Sequence, residues 1–198
     1  WFMQLQARAI PNAKSVSIDF FTPKGIAWQH SVAQTRALGQ LIHQPVAAAA
    51  LIRQAEQQFA RQSKLLAPHA ARPYAIVQFI DARHLRVYGH NSMYGQALAQ
   101  LHLRNAWQLP TNAWGFSQID LLQLSKLPAN TKLIVVHPHP ANVAQQLNKS
   151  ALWQRLPYSR PVNHTVLPAV WSFGALPSMQ RFGNELTAAL TGNKVGTW

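Results

Sequence analysis

Residues 45–67 read PVAAAALIRQAEQQFARQSKLLA and form the longest helical pattern in the chain. Proline suits the first turn of a helix, where its missing N–H would have no partner, and Pro68 marks the stop. At about 1.5 Å per residue the helix is roughly 30–35 Å long, about the diameter of a small domain. We therefore predict either a core helix or a strut that joins two lobes.

The segment after this helix alternates between short apolar strands and helices. Strands are predicted at 74–80, 85–89, 132–137 and 164–170, and helices at 92–103, 117–127, 141–156 and 176–190. This alternation is typical of an α/β domain with a largely parallel sheet that is covered on both faces. The segment before the long helix holds only a strand-like run at 15–21, a turn at 22–25 and a helical pattern at 28–42. That is too little for a second complete sheet.

The composition sets limits on the function. The chain of 198 residues has 18 Lys and Arg against 5 Asp and Glu, a net charge of +13, and no cysteine. The basic residues are scattered singly, which favours a basic surface or attraction of an anionic small ligand over a nucleic-acid partner. Without cysteine there are no disulfides, thiolate metal sites or thiol nucleophiles. The sequence contains no apolar run of about 18 residues, the length that would predict a membrane span.

Catalytic and metal motifs are weak. Asp81 and His84 lie close together in sequence, but no Gly-x-Ser-x-Gly turn accompanies them and no Gly-rich phosphate loop occurs. His137 and His139 share a direction if the chain is extended, yet no nearby Asp, Glu or Cys supplies a third ligand. We therefore predict no enzymatic activity, no catalytic residues and no metal site.

Aromatic residues gather in loops at the ends of predicted elements. Ligands of open α/β sheets bind at the carboxyl ends of the strands, where we expect several of these loops to meet. The loops 88–94, 111–117 and 170–175 combine aromatic and small polar side chains, which is typical of a pocket for a bulky organic ligand. The candidate ligand-binding residues in them are Tyr88, Asn91, Asn112, Trp114, Ser117, Trp171 and Phe173. Trp107, near Leu109 and Pro110, is assigned to the core.

Four blocks of the sequence resemble a known family. They are FIDARHLRVYGHNSMYGQAL (79–98), LRNAWQLPTNAWG (103–115), ALWQRLPYSR (151–160) and LPAVWSFGALPSMQRF (167–182). Their order and spacing are similar to those of periplasmic ferric-hydroxamate siderophore-binding proteins, the solute receptors of iron-siderophore ABC importers. The similarity covers about residues 25–190.

The resemblance implies an α/β protein of two lobes joined by one long helix, with the ligand in a shallow cleft between the lobes. We expect 1–43 to be the C-terminal part of an incomplete N-terminal lobe, 44–71 the interlobe helix and 72–198 the C-terminal α/β lobe.

The same resemblance assigns ligand contacts. It implies that Trp114 and Trp171 face the siderophore, that Ser117 or its neighbour lies nearby, and that Trp1 matches a cleft tryptophan of the first lobe. The family also carries an arginine that contacts the hydroxamate oxygens, in a segment with no counterpart here, so no residue is assigned that role.

We therefore expect a monomeric periplasmic binding protein that captures ferric hydroxamate siderophores and delivers them to an inner-membrane ABC permease, with Glu185 as a candidate docking residue. Iron in such a ligand is already coordinated, so no cofactor and no protein ligand to iron are expected. One alternative is a receptor of the same fold for haem, cobalamin or a metal ion, which would favour a role for His90, His137 or His139. A second alternative is a basic nucleic-acid-binding domain.

Overall fold

The computed structural model describes residues 16–192 and Trp198. The helices are α1 Trp28–Leu41, α2 Pro45–Leu65, α3 Met93–Gln100, α4 Val143–Lys149, α5 Ala151–Arg155 and α6 Leu176–Leu190. The strands are β1 Pro73–Phe79, β2 His84–Tyr88, β3 Arg104–Asn105, β4 Phe116–Asp120, β5 Lys132–Val136 and β6 His164–Leu167. Among the described residues, no helix is both long enough and apolar enough to cross a membrane.

The strands form one mixed sheet in the order β4-β2-β1-β5-β6, with β3 paired to β1. Strands β1, β5 and β6 are parallel, but β2 is antiparallel to β1 and β4 is antiparallel to β2. The prediction of a largely parallel sheet is therefore wrong for the β2–β4 half. The cause is the short connection 80–83, because a parallel crossover needs about a dozen residues and so few allow only a hairpin.

Strand β4 replaces the first part of the helix predicted at 117–127. Ile119 is buried between the exposed Gln118 and Asp120, which is the period-two pattern of a strand. The Asp120 side chain accepts a hydrogen bond from the Gln123 backbone N–H at 3.0 Å, and the Gln123 side chain accepts one from the Asp120 N–H at 3.0 Å. This capping box delays the helical turn, a 3₁₀ helix, to Leu121–Lys126.

Two other predictions change in detail. The helix predicted at 141–156 is interrupted at Ser150, whose hydroxyl accepts from the Trp153 N–H at 3.3 Å and caps α5. Residues 16–21 do not form a strand, but the turn predicted at 22–25 is confirmed. Its two backbone hydrogen bonds between Thr22 and Gly25 measure 3.0 and 2.8 Å.

The sheet is covered on both faces, as predicted, and separates two apolar cores. On one face Ile76, Ile134 and other buried side chains pack under α1, α2, α3 and α6. The opposite face packs with α4, α5 and Trp107, which is only 4% exposed, so the core assignment of Trp107 is confirmed. Burial on both faces explains why β1 and β5 are nearly continuous apolar runs.

The long helix α2 lies against the lobe described here along one face. Its buried residues are Ala48, Ile52, Ala55, Phe59 and Gln62, at helical spacing. Amide side chains fix its register on α6: Gln58 Nε2 donates to the Gln180 carbonyl oxygen at 2.8 Å, and Gln62 Nε2 donates to Asn184 Oδ1 at 2.7 Å. Helix α2 is therefore part of a packed core, and its role between two lobes stays a prediction.

Trp198 packs beside the second core, next to His164. The Trp198 indole N–H donates to His164 Nε2 at 3.0 Å, and His164 Nδ1 lies 2.7 Å from the Tyr158 carbonyl oxygen. A neutral imidazole with its proton on Nδ1 satisfies both partners at once. Burial lowers the pKa of His164, against smaller opposing effects from hydrogen bonds to the backbone of Tyr158 and Arg160.

We expect the free energy of unfolding to fall as the pH is lowered from about 8 to about 5.5. The folded-state pKa of His164 lies below the unfolded value of about 6.5, so the unfolded state takes up protons first. This stability is complete above the unfolded pKa and is lost as the pH falls through the folded pKa. Denaturant unfolding across this range should show a smaller pH dependence for His164→Asn. A pH dependence that is unchanged in His164→Asn would contradict the assignment.

Candidate ligand-binding surface

Four aromatic rings form a surface cluster, called here the aromatic wall: Phe21, Trp114, Phe116 and Phe173. The ring centroids of Trp114 lie 5.5 Å from Phe21 and 5.4 Å from Phe173, and those of Phe116 and Phe173 are 6.5 Å apart. Tilted and edge-to-face contacts at such distances are favourable, so the rings hold one another in place. Trp114 remains 52% exposed, which leaves its indole available to a ligand.

Trp171 lies on the loop after β6, two residues before Phe173 of the wall. Its side chain is 70% exposed, but the backbone beside it is fixed, because the Tyr94 hydroxyl donates to the Val170 carbonyl oxygen at 2.8 Å. Tyr94 and Val170 are both buried. The ring of Phe173 contacts Trp114, so the exposed indole of Trp171 stands on the same loop as one ring of the wall.

Asn112 shapes the loop that carries Trp114. Its Oδ1 accepts hydrogen bonds from the backbone N–H groups of Trp114 at 3.0 Å and Phe116 at 3.2 Å. Gly115, with a φ of +80°, then closes the turn by donating its N–H to the Asn112 carbonyl oxygen at 2.9 Å. Asn112 thus positions the indole, and its side-chain oxygen is occupied by the backbone.

Asn91 joins two loops beneath the wall. Its Nδ2 donates to the carbonyl oxygens of Lys24 at 3.2 Å and Asn112 at 3.1 Å. Its Oδ1 accepts a hydrogen bond from the Thr111 hydroxyl. All polar atoms of this amide are engaged within the protein, so Asn91 supports the loops on which Phe21 and Trp114 stand.

Tyr88 and Ser117 also lie behind the wall. Tyr88 is 1% exposed, its ring centroid is 6.0 Å from that of Phe116, and its hydroxyl donates to Gln78 Oε1 at 3.1 Å. Burial raises the pKa of Tyr88, against the opposing effect of a hydrogen bond with Ser172, so the hydroxyl is protonated at neutral pH. The Ser117 hydroxyl donates to the Pro110 carbonyl oxygen at 2.8 Å. Trp1 lies outside the described residues.

Three residues of this region were not predicted as site residues: Phe21, Phe116 and Arg86. The Arg86 guanidinium carbon lies 4.9 Å from the centroid of the Phe116 ring, within cation–π range. Period-two alternation across 116–120 was the available signal for Phe116. In the sequence Arg86 was only one of many scattered basic residues.

Strand direction changes how the loops are arranged. Because β2 is antiparallel to β1, the loop after Tyr88 leaves from the opposite end of the sheet to the loops after β1 and β5. The aromatic loops 88–94, 111–117 and 170–175 do come together, through contacts such as Asn91 with Asn112 and Trp114 with Phe173. They do not all leave from one set of carboxyl ends, so that part of the expectation is wrong. His137 and His139, after β5, stack on each other with ring centroids 4.0 Å apart, and His139 packs against Trp198. The described residues contain no group of three or more His, Asp or Glu that could hold a metal ion.

Two solved structures with similar backbones are described as FhuD or as a member of the FhuD fold family. FhuD of Vibrio cholerae, a siderophore-binding protein solved with Fe3+-Desferal bound, superposes with a TM-score of 0.80 at 24% identity over 96% of this chain and 70% of its own. A Bacillus subtilis periplasmic binding protein component of a Fep/Fec-like ferrichrome ABC transporter gives a TM-score of 0.69 at 14% identity over 98% of this chain and 72% of its own. The chain therefore has the fold of the periplasmic siderophore-binding proteins.

A match in sequence is more specific than the fold. The chain is 33% identical over 122 residues to the iron(3+)-hydroxamate-binding protein FhuD of Escherichia coli strain K12. The match covers 62% of this chain and 41% of that protein, so the chain spans about two fifths of the length of this relative. No family model matches the chain. The resemblance to periplasmic ferric-hydroxamate-binding proteins is confirmed, in sequence over this segment and in fold over nearly the whole chain.

Proposed function

We propose that this chain is the part of a periplasmic binding protein that supplies one wall of a cleft for ferric hydroxamate siderophores. The protein delivers its ligand to an ABC permease, acts as a monomer and has no enzymatic activity. The observation that carries this proposal is the pair of exposed side chains Trp114 and Trp171, each on a loop that internal hydrogen bonds hold in place. The relatives named above are binding proteins, which agrees with a binding role.

The chemistry of the wall suits this class of ligand. A ferric hydroxamate presents an already coordinated iron centre inside a mixed apolar and polar organic shell. Aromatic side chains can bury the carbon surface of that shell at roughly 25 cal/mol per Å² of apolar area. In this proposal the protein contributes no ligand to iron, and polar groups near the wall, such as Ser172, provide hydrogen bonds.

The alternatives receive less support. Haem, cobalamin or free metal would favour histidines at the site, but His137 and His139 stack on each other beside Trp198. His90 lines a separate cavity of about 490 Å³ together with Arg104 and Asn105. A nucleic-acid-binding role rests on net charge alone, and none of the relatives named above is described as binding nucleic acid.

The test is a titration of the chain with ferrichrome, followed by tryptophan fluorescence and by equilibrium dialysis of iron. We expect saturable quenching, and binding weakened about 10- to 100-fold in both Trp114→Ala and Trp171→Ala, because aromatic anchors are often worth about 2 kcal/mol or more. Dialysis gives an affinity that does not depend on the fluorescence of the removed indole.

A matched control is Leu122→Ala, an apolar residue that is 57% exposed outside the aromatic wall and that we expect to leave the affinity unchanged. Equal ferrichrome affinity in the parent chain and both tryptophan variants would overturn the role of the wall. Saturable binding of haem without any binding of ferrichrome would move the haem receptor to first place.

A further inference from the structure

Arg86 places a positive charge at the edge of the aromatic wall. Its guanidinium carbon lies 4.9 Å from the centroid of Phe116, whose ring is in contact with Phe173. The side chain is half-buried, so the cation is partly desolvated but still accessible. Part of the guanidinium is engaged by the Tyr88 hydroxyl: burial raises the pKa of Tyr88, and the hydrogen bond with Arg86 lowers it by a smaller amount. A guanidinium has five N–H donors in one plane, so the others can bind an anion.

The sheet fixes this position. Arg86 pairs with Gln78 on β1 and with Gln118 on β4, so its neighbours across both strands are neutral amides. Between described side chains, the ion pair within 4.0 Å is that of His84 with Asp81, at 2.9 Å. The charge of Arg86 is therefore not neutralised by a described carboxylate, and it has two uncharged polar neighbours in register.

We propose that Arg86 makes this surface selective for ferric hydroxamates that carry a free carboxylate, over neutral and cationic ones. This inference rests on the proposed function and names the ligand class within it. A neutral chelate gains only the aromatic contacts, whereas a carboxylate beside the wall gains a charge-assisted, bidentate hydrogen bond. An ammonium group at the same place is repelled by the guanidinium.

A charge series on one chelate tests the inference. Ferrioxamine B carries a free ammonium, its N-acetyl derivative is neutral at that position, and its N-succinyl derivative ends in a carboxylate, while the ferric hydroxamate core is the same in all three. We expect the chain to bind the succinyl probe about tenfold more tightly than ferrioxamine B, with the acetyl probe between them. The preference should shrink in about 0.5 M salt, since partly exposed charges are screened.

Variants separate Arg86 from the general basic charge. Arg86→Gln should reduce the preference to about twofold or less with little change in affinity for the acetyl probe, and Arg86→Lys should retain part of it. Arg83→Gln removes the same charge from an exposed residue of the β1–β2 hairpin and should leave the preference intact. A circular dichroism spectrum of each variant checks the fold.

Two results overturn the inference in distinguishable ways. Binding of the acetyl probe without a charge preference, or a preference that survives in Arg86→Gln, removes the role of Arg86 and leaves the proposed function standing. Failure of all three probes to bind the parent chain removes the proposed function and the selectivity together.

Discussion

Replacement of Phe59 by alanine is expected to lower the free energy of unfolding by about 3–5 kcal/mol. Phe59 is 2% exposed on α2, and its ring packs edge-to-face against Trp28 of α1 with centroids 5.3 Å apart. On its other side the ring lies against α6, where a Cβ added to Gly183 would be 3.1 Å from it. One side chain therefore joins three helices, and its removal leaves a cavity that they cannot close together.

Equilibrium unfolding in denaturant measures this loss. The control is Leu65→Ala on the same helix, since Leu65 is 60% exposed and its truncation should change stability by no more than about 0.5 kcal/mol. A loss below about 1 kcal/mol for Phe59→Ala would mean that α2 is not held on this lobe. The expected loss would show that α2 is an integral part of the core of this lobe.

Helices with clear local boundaries were predicted well from the sequence. The helix predicted at 176–190 has those bounds in the structure, and the long helix ends two residues before its predicted end. Both have apolar residues at helical spacing and a proline in the first turn, signals that depend only on nearby residues. Each of these two helices has one apolar face, and the burial of that face in the core decides where the helix packs.

Strand β4 shows where local reasoning fails. The run 116–127 combines period-two alternation at its start with closely spaced leucines after it, so a single window fits both a strand and a helix. Pairing with β2 decides the matter, and that pairing is not visible in the local pattern. The direction of β2 had a local signal, the short connection to β1, which outweighs the general preference for parallel strands in α/β domains.

The contact between Trp114 and Phe173 joins two of the loops in which the sequence predicted ligand-binding residues, and whether these residues bind a ligand stays a prediction. Asn91 and Asn112, in contrast, hydrogen-bond to nearby backbone and side chains. Asparagine in a loop can satisfy a ligand or a backbone group two residues away equally well, and the sequence does not distinguish these cases.

Gly115→Ala is expected to cost about 2–5 kcal/mol of stability and to weaken ferrichrome binding at least tenfold. Gly115 has a φ of +80°, which costs an alanine roughly 1–2 kcal/mol. An added Cβ would also lie 2.3 Å from Ser92 Cα and 2.6 Å from Ser92 N, which are backbone atoms at the start of α3. Relief of this overlap must move the loop and adds about 1–3 kcal/mol.

The movement reaches the site because Gly115 holds the adjacent Trp114 in place through backbone hydrogen bonds. Its N–H donates to Asn112 and its carbonyl oxygen accepts from the Gly89 N–H, both at 2.9 Å. Gly192→Ala is a matched control, since Gly192 has the same φ of +80° and an added Cβ there meets no atom of the described residues within 4 Å. Denaturant unfolding and ferrichrome titration of both variants therefore separate backbone strain from collision. Equal losses of stability in the two variants would show that the loop moves away from Ser92 at little cost. An unchanged ferrichrome affinity in Gly115→Ala would show that this movement does not displace the Trp114 indole.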